Sequence, residues 1–365
     1  MNVSVREAGD ADETAWEAFV SDNPCATFFH RYPWRRVLER AFGHPCHFLL
    51  AEEGGVVTGV LPLAEVRSRL FGRKLASLPF CVYGGIAASS DAAATALRQR
   101  ASALARELRV EALELRNREP SGSGWPVKDL YYTFRKAISA DNTVNLKAIP
   151  NRQRAMLRKA LKEGLYSEED RGTERLYRVY AESLRNLGTP VFGRRYLDIL
   201  RDEFGDACRV LMIRQAPGGQ PVAGTDDAAL VEGVKGEGGE DVAGVLSFYF
   251  RGEVLPYYGG SVTRARDIKG CNHILYWELM RRSADEGCSG FDFGRSKKDT
   301  GPFAFKKHFG FEPAPLPYEY DLVTTDELPD LNPNNPKYRL LVSTWQRLPL
   351  PVANLLGPPL ARSLG

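Results

Sequence analysis

Residues 253–320 read EVLPYYGGSVTRARDIKGCNHILYWELMRRSADEGCSGFDFGRSKKDTGPFAFKKHFGFEPAPLPYEY, and their order of β-prone and helical runs decides the fold. EVLPYYGGSV is aromatic and extended and stops at Gly259-Gly260. TRARDIKG is a short basic loop. From Asn272 the apolar Ile274, Leu275, Trp277 and Leu279 fall near helical spacing, and Gly287 ends the run. SGFDFG reads as a short strand with Asp292 near its carboxyl end. Residues 301–310 hold a short helix, and FEPAPLPYEYDL returns as strand. Charged side chains crowd the two loops that follow strands, where open α/β sheets place their ligands.

The surrounding composition sets bounds. At 365 residues two domains are expected. With 49 basic and 46 acidic residues the net charge is only +3, so any basic surface is local. Six cysteines at 25, 46, 81, 208, 271 and 288 form neither a CxxC pair nor a zinc spacing, and five histidines show no ligand spacing, so no metal is expected. The polar, acidic start MNVSVREAGDADETAW does not follow the pattern of a signal peptide, and no run is long and apolar enough to span a bilayer. These features set the expectation of a cytoplasmic chain with reduced thiols.

Upstream, the block repeats. Phe42-Gly43-His44-Pro45-Cys46 recurs as Phe204-Gly205-Asp206-Ala207-Cys208, and at the same offset Trp34 falls on Tyr196 and Leu38 on Leu200. Pro79 to Gly85, read as the end of a strand LASLPFCVYGG, is echoed by Pro256 to Gly260. Each GlyGly strand leads into a helix, Ala92 to Leu108 in one case, and then a short strand. A further helix is expected from Thr27 to Arg40. The reading is two copies of one α/β unit with mixed sheets, residues 1–140 and 141–323, followed by a tail, 324–365. The second copy carries charge where the first has IAASSDAAAT, so it is expected to hold the reactive cleft, with the first supporting it or binding acceptor.

Three other stretches stand out. In NLKAIPNRQRAMLRKALKEGL, Arg154, Arg158 and Lys162 line one helical face, which either meets phosphates or is a solvated face. Residues 216–241 are rich in Gly and acids and are expected to form a mobile surface insertion. In the tail, Leu340, Leu341, Trp345 and Leu348 form an apolar stripe on a helix from Lys337 to Arg347. It packs back on the domain or, with Lys337, Arg339 and Arg347, touches a membrane surface.

The chemistry open to the second copy is acyl transfer. A helix beginning near Cys271 or Asn272 turns its N-terminus toward the loop Thr263–Asn272. With Arg264, Arg266, Lys269 and Gly270 it makes an anion site for the phosphates of a donor. The glycine signature by which N-acetyltransferases of the GNAT fold hold coenzyme A is incomplete here, because Asn272 stands where a second small residue belongs. Acyl transfer needs a cation or N–H group at the tetrahedral oxyanion and benefits from a base at the acceptor. Lys306, Lys297 or Arg295 suits the first role and Asp292 the second. Ser296 lies between them as a substrate contact. Tyr258 is either a general acid or core. His308, beside Lys306, is the one histidine expected near the site.

FDFGRSK, then TG-x-F-x-FKK-x-FGFEP, then a YEY strand resemble the FemAB-type transferases, and most of all the FemAB-related proteins associated with the exosortase/PEP-CTERM system. The resemblance covers residues 1–323. It implies tandem GNAT-like units and transfer of an acyl or aminoacyl group to an amine of a cell-envelope precursor, of exopolysaccharide or peptidoglycan type. The donor would be aminoacyl-tRNA or acyl-CoA, with no tightly bound cofactor. Lys306 matches the lysine of the family's F-K-x-x-F-G motif, thought to stabilise the oxyanion. The partners implied are tRNA and a nucleotide- or lipid-linked saccharide, and the apolar stripe of the tail adds peripheral inner-membrane contact as a reading of its own. Two alternatives stay open: an acyl-CoA-dependent N-acyltransferase, and a non-catalytic module binding a saccharide or an export complex.

Overall fold

A computed structural model of the chain describes residues 3–68, 72–328 and 336–363, with the backbone alone given for 336–340. The chain forms two compact units. The first is Met1–Tyr131 with Pro315–Leu331 and Pro359–Gly365, and the second is Tyr132–Ala314 with Asn332–Pro358.

The first unit opens with β1 (Ser4–Glu7), α1 (Glu13–Asp22), α2 (Trp34–Phe42), β2 (Cys46–Glu53), β3 (Val56–Ser68) and β4 (Gly72–Ala76). It continues with β5 (Ala87–Ala88), α3 (Asp91–Glu107), β6 (Ala112–Arg116) and β7 (Val127–Lys128). The alanines of α3 let it lie close on the sheet, burying Ala93, Leu97, Ala101 and Leu104 at helical spacing. The second unit takes β8 (Tyr131–Ala137), α4 (Asn142–Lys147), α5 (Asn151–Lys162), β9 (Leu165–Asp170), α6 (Glu174–Leu187), α7 (Arg194–Phe204) and β10 (Cys208–Gln215). Then follow α8 (Asp227–Glu232), β11 (Glu240–Phe250), β12 (Glu253–Ser261), α9 (Cys271–Asp285), β13 (Gly290–Asp292), β14 (Ser296–Lys297), α10 (Gly301–His308) and β15 (Pro313–Pro315). After β16 (Tyr318–Leu322) come α11 (Pro336–Arg347) and α12 (Leu350–Ala361).

Both sheets are mixed. One runs β1-β2-β3-β4-β6-β16-β7 with β5 on β3, and the other runs β14-β8-β13-β12-β11-β10-β9 with β15 on β8. Each contains a parallel pair, β4 with β6 and β12 with β13, and a helix crosses between its members. The repeated Phe-Gly segments do the same job twice. Helices α2 and α7 each end at a phenylalanine, a glycine at positive φ (62° at Gly43, 52° at Gly205) turns the chain, and a strand begins at Cys46 or Cys208.

The units differ from the expected boundaries 1–140 and 141–323 through an exchange of strands. Strand β8, inside the expected first copy, pairs with β13 of the second sheet. Strand β16, inside the expected second copy, pairs with β6 of the first. A hydrophobic pattern marks a strand without naming its partner, so sequence order misassigned both.

Three other expectations change. LASLPFCVYGG is strand only to Ala76. Residues 77–85 form a buried irregular segment with Leu78 and Phe80 at positive φ (55° and 68°). The helix expected from Thr27 starts at Trp34, after Pro33. Residues 216–241 are not a loose appendage: Leu230 and Val234 join the core of the second unit, and the Trp277 indole donates to the Leu230 carbonyl at 3.0 Å. The end of the tail, for which the sequence sets no expectation, forms α12, with Pro351 in its first turn where a missing N–H costs no hydrogen bond. For the expected stripe on α11, the side chains of Lys337, Arg339 and Leu340 lie outside the described residues.

Candidate functional site

Strands β12 and β13 pair only through Glu253↔Gly290 and Val254↔Phe291. Beyond them β12 is deflected by an irregularity facing Leu246 and Ser247, where Pro256 supplies no N–H to the ladder. β13 instead stays with β8, and the Phe293 amide donates to the Phe134 carbonyl at 2.8 Å. The strands therefore part at their carboxyl ends, and the segment Phe293–Lys297 starts at the parting.

That segment is held from three directions. Asp292 is fully buried. One carboxylate oxygen accepts from the Gly294 amide at 2.7 Å, and the other lies 3.2 Å from Nε of Arg135 on β8. Arg135 also donates to Glu253. Gly294 has φ +62°, a conformation that favours glycine. From α10, the buried Nζ of Lys306 donates to the carbonyls of Phe293 (2.6 Å), Gly294 (3.1 Å) and Arg295 (3.1 Å). An ammonium has three protons, and here three carbonyls engage it. Its charge also lies 5.5 Å from the Phe134 ring centre and 5.6 Å from that of Phe293. Burial pushes the Lys306 pKa down to about 7, and Arg295 adds to the fall while Asp292 opposes it.

The first turn of α9 packs against two elements. Gly270, at φ +80°, has no room for a side chain: a Cβ would stand 2.3 Å from the Met156 carbonyl oxygen and 3.0 Å from the Ala160 Cβ, both on α5. His273 meets Gln153 of α5 at 2.8 Å and the rings of Phe305 on α10 and of Phe309 just after it at 5.2 and 6.2 Å. Burial lowers the His273 pKa to about 4, which keeps the ring neutral at physiological pH.

Of the expected site residues, Asp292, Arg295, Ser296, Lys297 and Lys306 come together in this one assembly. Ser296 is buried and its Oγ has no hydrogen-bond partner among the described residues, which marks an unsatisfied polar group in the segment. Asp292 differs from its expected part as a base, because both its oxygens are engaged and none of it reaches solvent. Tyr258 stands apart, in an aromatic cluster with Tyr180, Phe192 and Tyr257, its hydroxyl 2.7 Å from that of Tyr196. On α5, Arg158 pairs with Asp227 at 2.7 Å, and Arg154 lines a cavity of about 320 Å³ with Lys147, Asp227 and Glu232. The segment 216–241 thus sets acids against the basic face. In the anion loop, Arg264 pairs with Glu240 at 2.6 Å, Gly270 serves helix packing, and Arg266, Lys269 and Asn272 are exposed.

Sequence reasoning missed Arg135 and His273. Arg135 was counted with the other copy. His273 had no motif around it, and His308, expected near the site, is exposed on α10. It also missed a cavity of about 450 Å³ in the first unit, lined by Tyr83, Gly85, Ser90, Arg98, Arg116 and Arg118. The IAASSDAAAT run, with Asp91 its one charged residue, gave no sign of it, because the arginines come from α3, the end of β6 and the loop just after it.

A family model described as an acetyltransferase (GNAT) domain matches residues 228–307, from α8 to the helix that carries Lys306. No curated protein matches the chain in sequence. Among solved structures, FemX is similar at a TM-score of 0.65 and 17% identity, over 93% of this chain and 100% of that one. L-PGS from Bacillus licheniformis follows at 0.55 and 13%, over 94% and 99%. A tandem GNAT protein of the clavulanic acid biosynthesis pathway follows at 0.54 and 12%, over 89% and 100%. The fold is thus the tandem GNAT arrangement expected from the sequence, and the matched domain begins inside the segment read as an insertion.

Proposed function

We propose that the chain is an acyltransferase that joins an acyl or aminoacyl group to an amine of a cell-envelope precursor, of exopolysaccharide or peptidoglycan type. The observation that supports this most is the buried lysine beneath the Phe293–Lys297 segment. A fold does not carry its own chemistry, but a buried cation that organises a loop at the carboxyl ends of parting parallel strands is a device suited to a developing negative charge.

In the step proposed, the acceptor nitrogen attacks the donor carbonyl carbon and a C–N bond forms. The tetrahedral oxyanion collapses as the C–O bond of an ester or the C–S bond of a thioester breaks. The amine proton ends on the departing oxygen or sulfur. Lys306 acts first as a positioning residue, fixing the segment. It reaches the oxyanion directly only by exchanging one carbonyl for the substrate oxygen. Asp292 orients the segment through Gly294 and Arg135. Arg295 and Lys297 supply charge toward the substrates. Arg266, Lys269 and Asn272, exposed by the first turn of α9, are suited to donor phosphates, and the incomplete glycine signature favours aminoacyl-tRNA over acyl-CoA. The description of the matched GNAT domain keeps acyl-CoA as the second reading.

A thermal-shift panel of aminoacyl-tRNA, acyl-CoA and a nucleotide sugar tests the proposal, since a ligand that binds only the folded state raises its stability. Stabilisation by aminoacyl-tRNA is expected. Stabilisation by acyl-CoA instead selects the second reading. Stabilisation by the sugar alone points to a non-catalytic binding module and ends the enzymatic one.

A further inference from the structure

The end of the chain presents an apolar surface that the transfer chemistry does not use. Helix α12 buries Ala353 and Gly357, four residues apart, yet its opposite side is also apolar. Leu355 is 74% exposed, Leu356 47% and Val352 39%. On α11 Leu341 is 64% exposed, and at the end of α6 Leu187 is 62% exposed. These five are most of the exposed large aliphatic side chains among the described residues. All sit around one connection, residues 186–193. Gln346 of α11 donates to the Asn186 carbonyl at 3.1 Å, Gly188 lies against Val342, and Gly357 of α12 lies against Val191. A helix apolar all round is ordinarily covered on all sides.

Charge points to what covers this one. Residues 331–365 contain Lys337, Arg339, Arg347 and Arg362 and no Asp or Glu, and residues 348–361 carry no charge at all. A self-complementary contact with a second copy would bring two acid-free, basic segments together with no carboxylate from either to offset them. An anionic lipid surface meets both features, the leucines in the acyl boundary and the cations among the headgroups. At 12 residues, α12 is too short to cross a bilayer. We infer that α11, α12 and the 186–193 connection form a docking face for an anionic membrane, with α12 lying in the interface plane. The inference is independent of the transfer reaction and goes beyond it.

Sedimentation of the full chain with phosphatidylglycerol vesicles and with phosphatidylcholine vesicles tests it. Binding to phosphatidylglycerol is expected, weaker to phosphatidylcholine, and weakened by salt. The double variant Leu355→Ser/Leu356→Ser should lose about tenfold or more in vesicle affinity. Its melting temperature should stay near that of the parent, because both side chains are exposed. Arg347→Glu should lose about fivefold or more on phosphatidylglycerol while keeping its phosphatidylcholine binding. Three results overturn the inference: no sedimentation with either vesicle, equal binding by the double variant, or a concentration-dependent dimer that the double variant dissolves. The last assigns the face to a second copy.

Discussion

The Nζ of Lys306 lies 2.6 Å from the carbonyl oxygen of Phe293 and 5.6 Å from the centre of the same residue's ring. One side chain thus fixes both the backbone and the aromatic face of the residue that follows β13. A cation so placed is desolvated, which explains its low pKa, and it is compensated by carbonyl dipoles and ring faces rather than by a direct salt bridge.

Lys306→Met should reduce transfer at least a hundredfold, the magnitude of losing one charge-stabilising group at a reacting centre. In the parent, activity should fall as pH rises through about 7, because the neutral amine has only two protons for three carbonyls. The residual activity of the variant should lack that limb. A pH–rate profile that keeps the limb in Lys306→Met removes Lys306 from the reaction.

The same lysine predicts a stability signature. Its folded pKa of about 7 lies below its ordinary 10.5, so between these values the unfolded chain holds a proton that the native chain has released. Stability from this group therefore rises with pH across the window, by at most about 1.4 kcal/mol per pH unit, and is flat below it. Urea unfolding at several pH values should show a steeper rise for the parent than for Lys306→Met. Parallel curves would contradict the assignment.

Arg135→Leu leaves the carboxylate of Asp292 buried without its arginine. A loss of about 3 kcal/mol is expected. Arg135→Leu/Asp292→Asn should cost less than the sum of the single changes, and a double-mutant cycle measures the coupling. Additive costs would mean that the two side chains do not act as a pair.

Gly270→Ala forces a left-handed backbone on alanine and drives its Cβ into the Met156 carbonyl. About 3 kcal/mol of destabilisation is expected from chemical unfolding. If Gly270 served only donor phosphates, the change would raise KM and leave stability alone.

Element type was largely legible, and pairing was not. The helix from Cys271, the strands at Glu253 and Gly290 and the short helix at Gly301 were readable because periodicity and glycine punctuation are local. The core role of Leu230 and Val234 was hidden because a glycine- and acid-rich run with two or three apolar residues resembles a loop until its partner, Trp277, is in place. Lys306 was found by a motif, but its three carbonyls belong to backbone that no side-chain pattern reports. Arg135 and His273 were missed because each acquires its partners only through contacts between distant elements.

The strand exchange also bears on how the chain is made. In the first sheet Tyr318 pairs with Arg116 and Leu322 with Ala112, so β6 waits for β16 until nearly the whole second unit has been synthesised. During translation the half that emerges first is the half completed last, with the free edge of β6 open to wrong partners. Pairing across that much chain is also slow. The second sheet has β8 before any other strand of its own is made and can close as soon as β13 is out. A fragment ending at residue 140 would thus leave one edge of β6 open and carry a strand that belongs elsewhere, whereas residues 131–315 hold every strand of the second sheet and are the piece expected to fold when expressed alone.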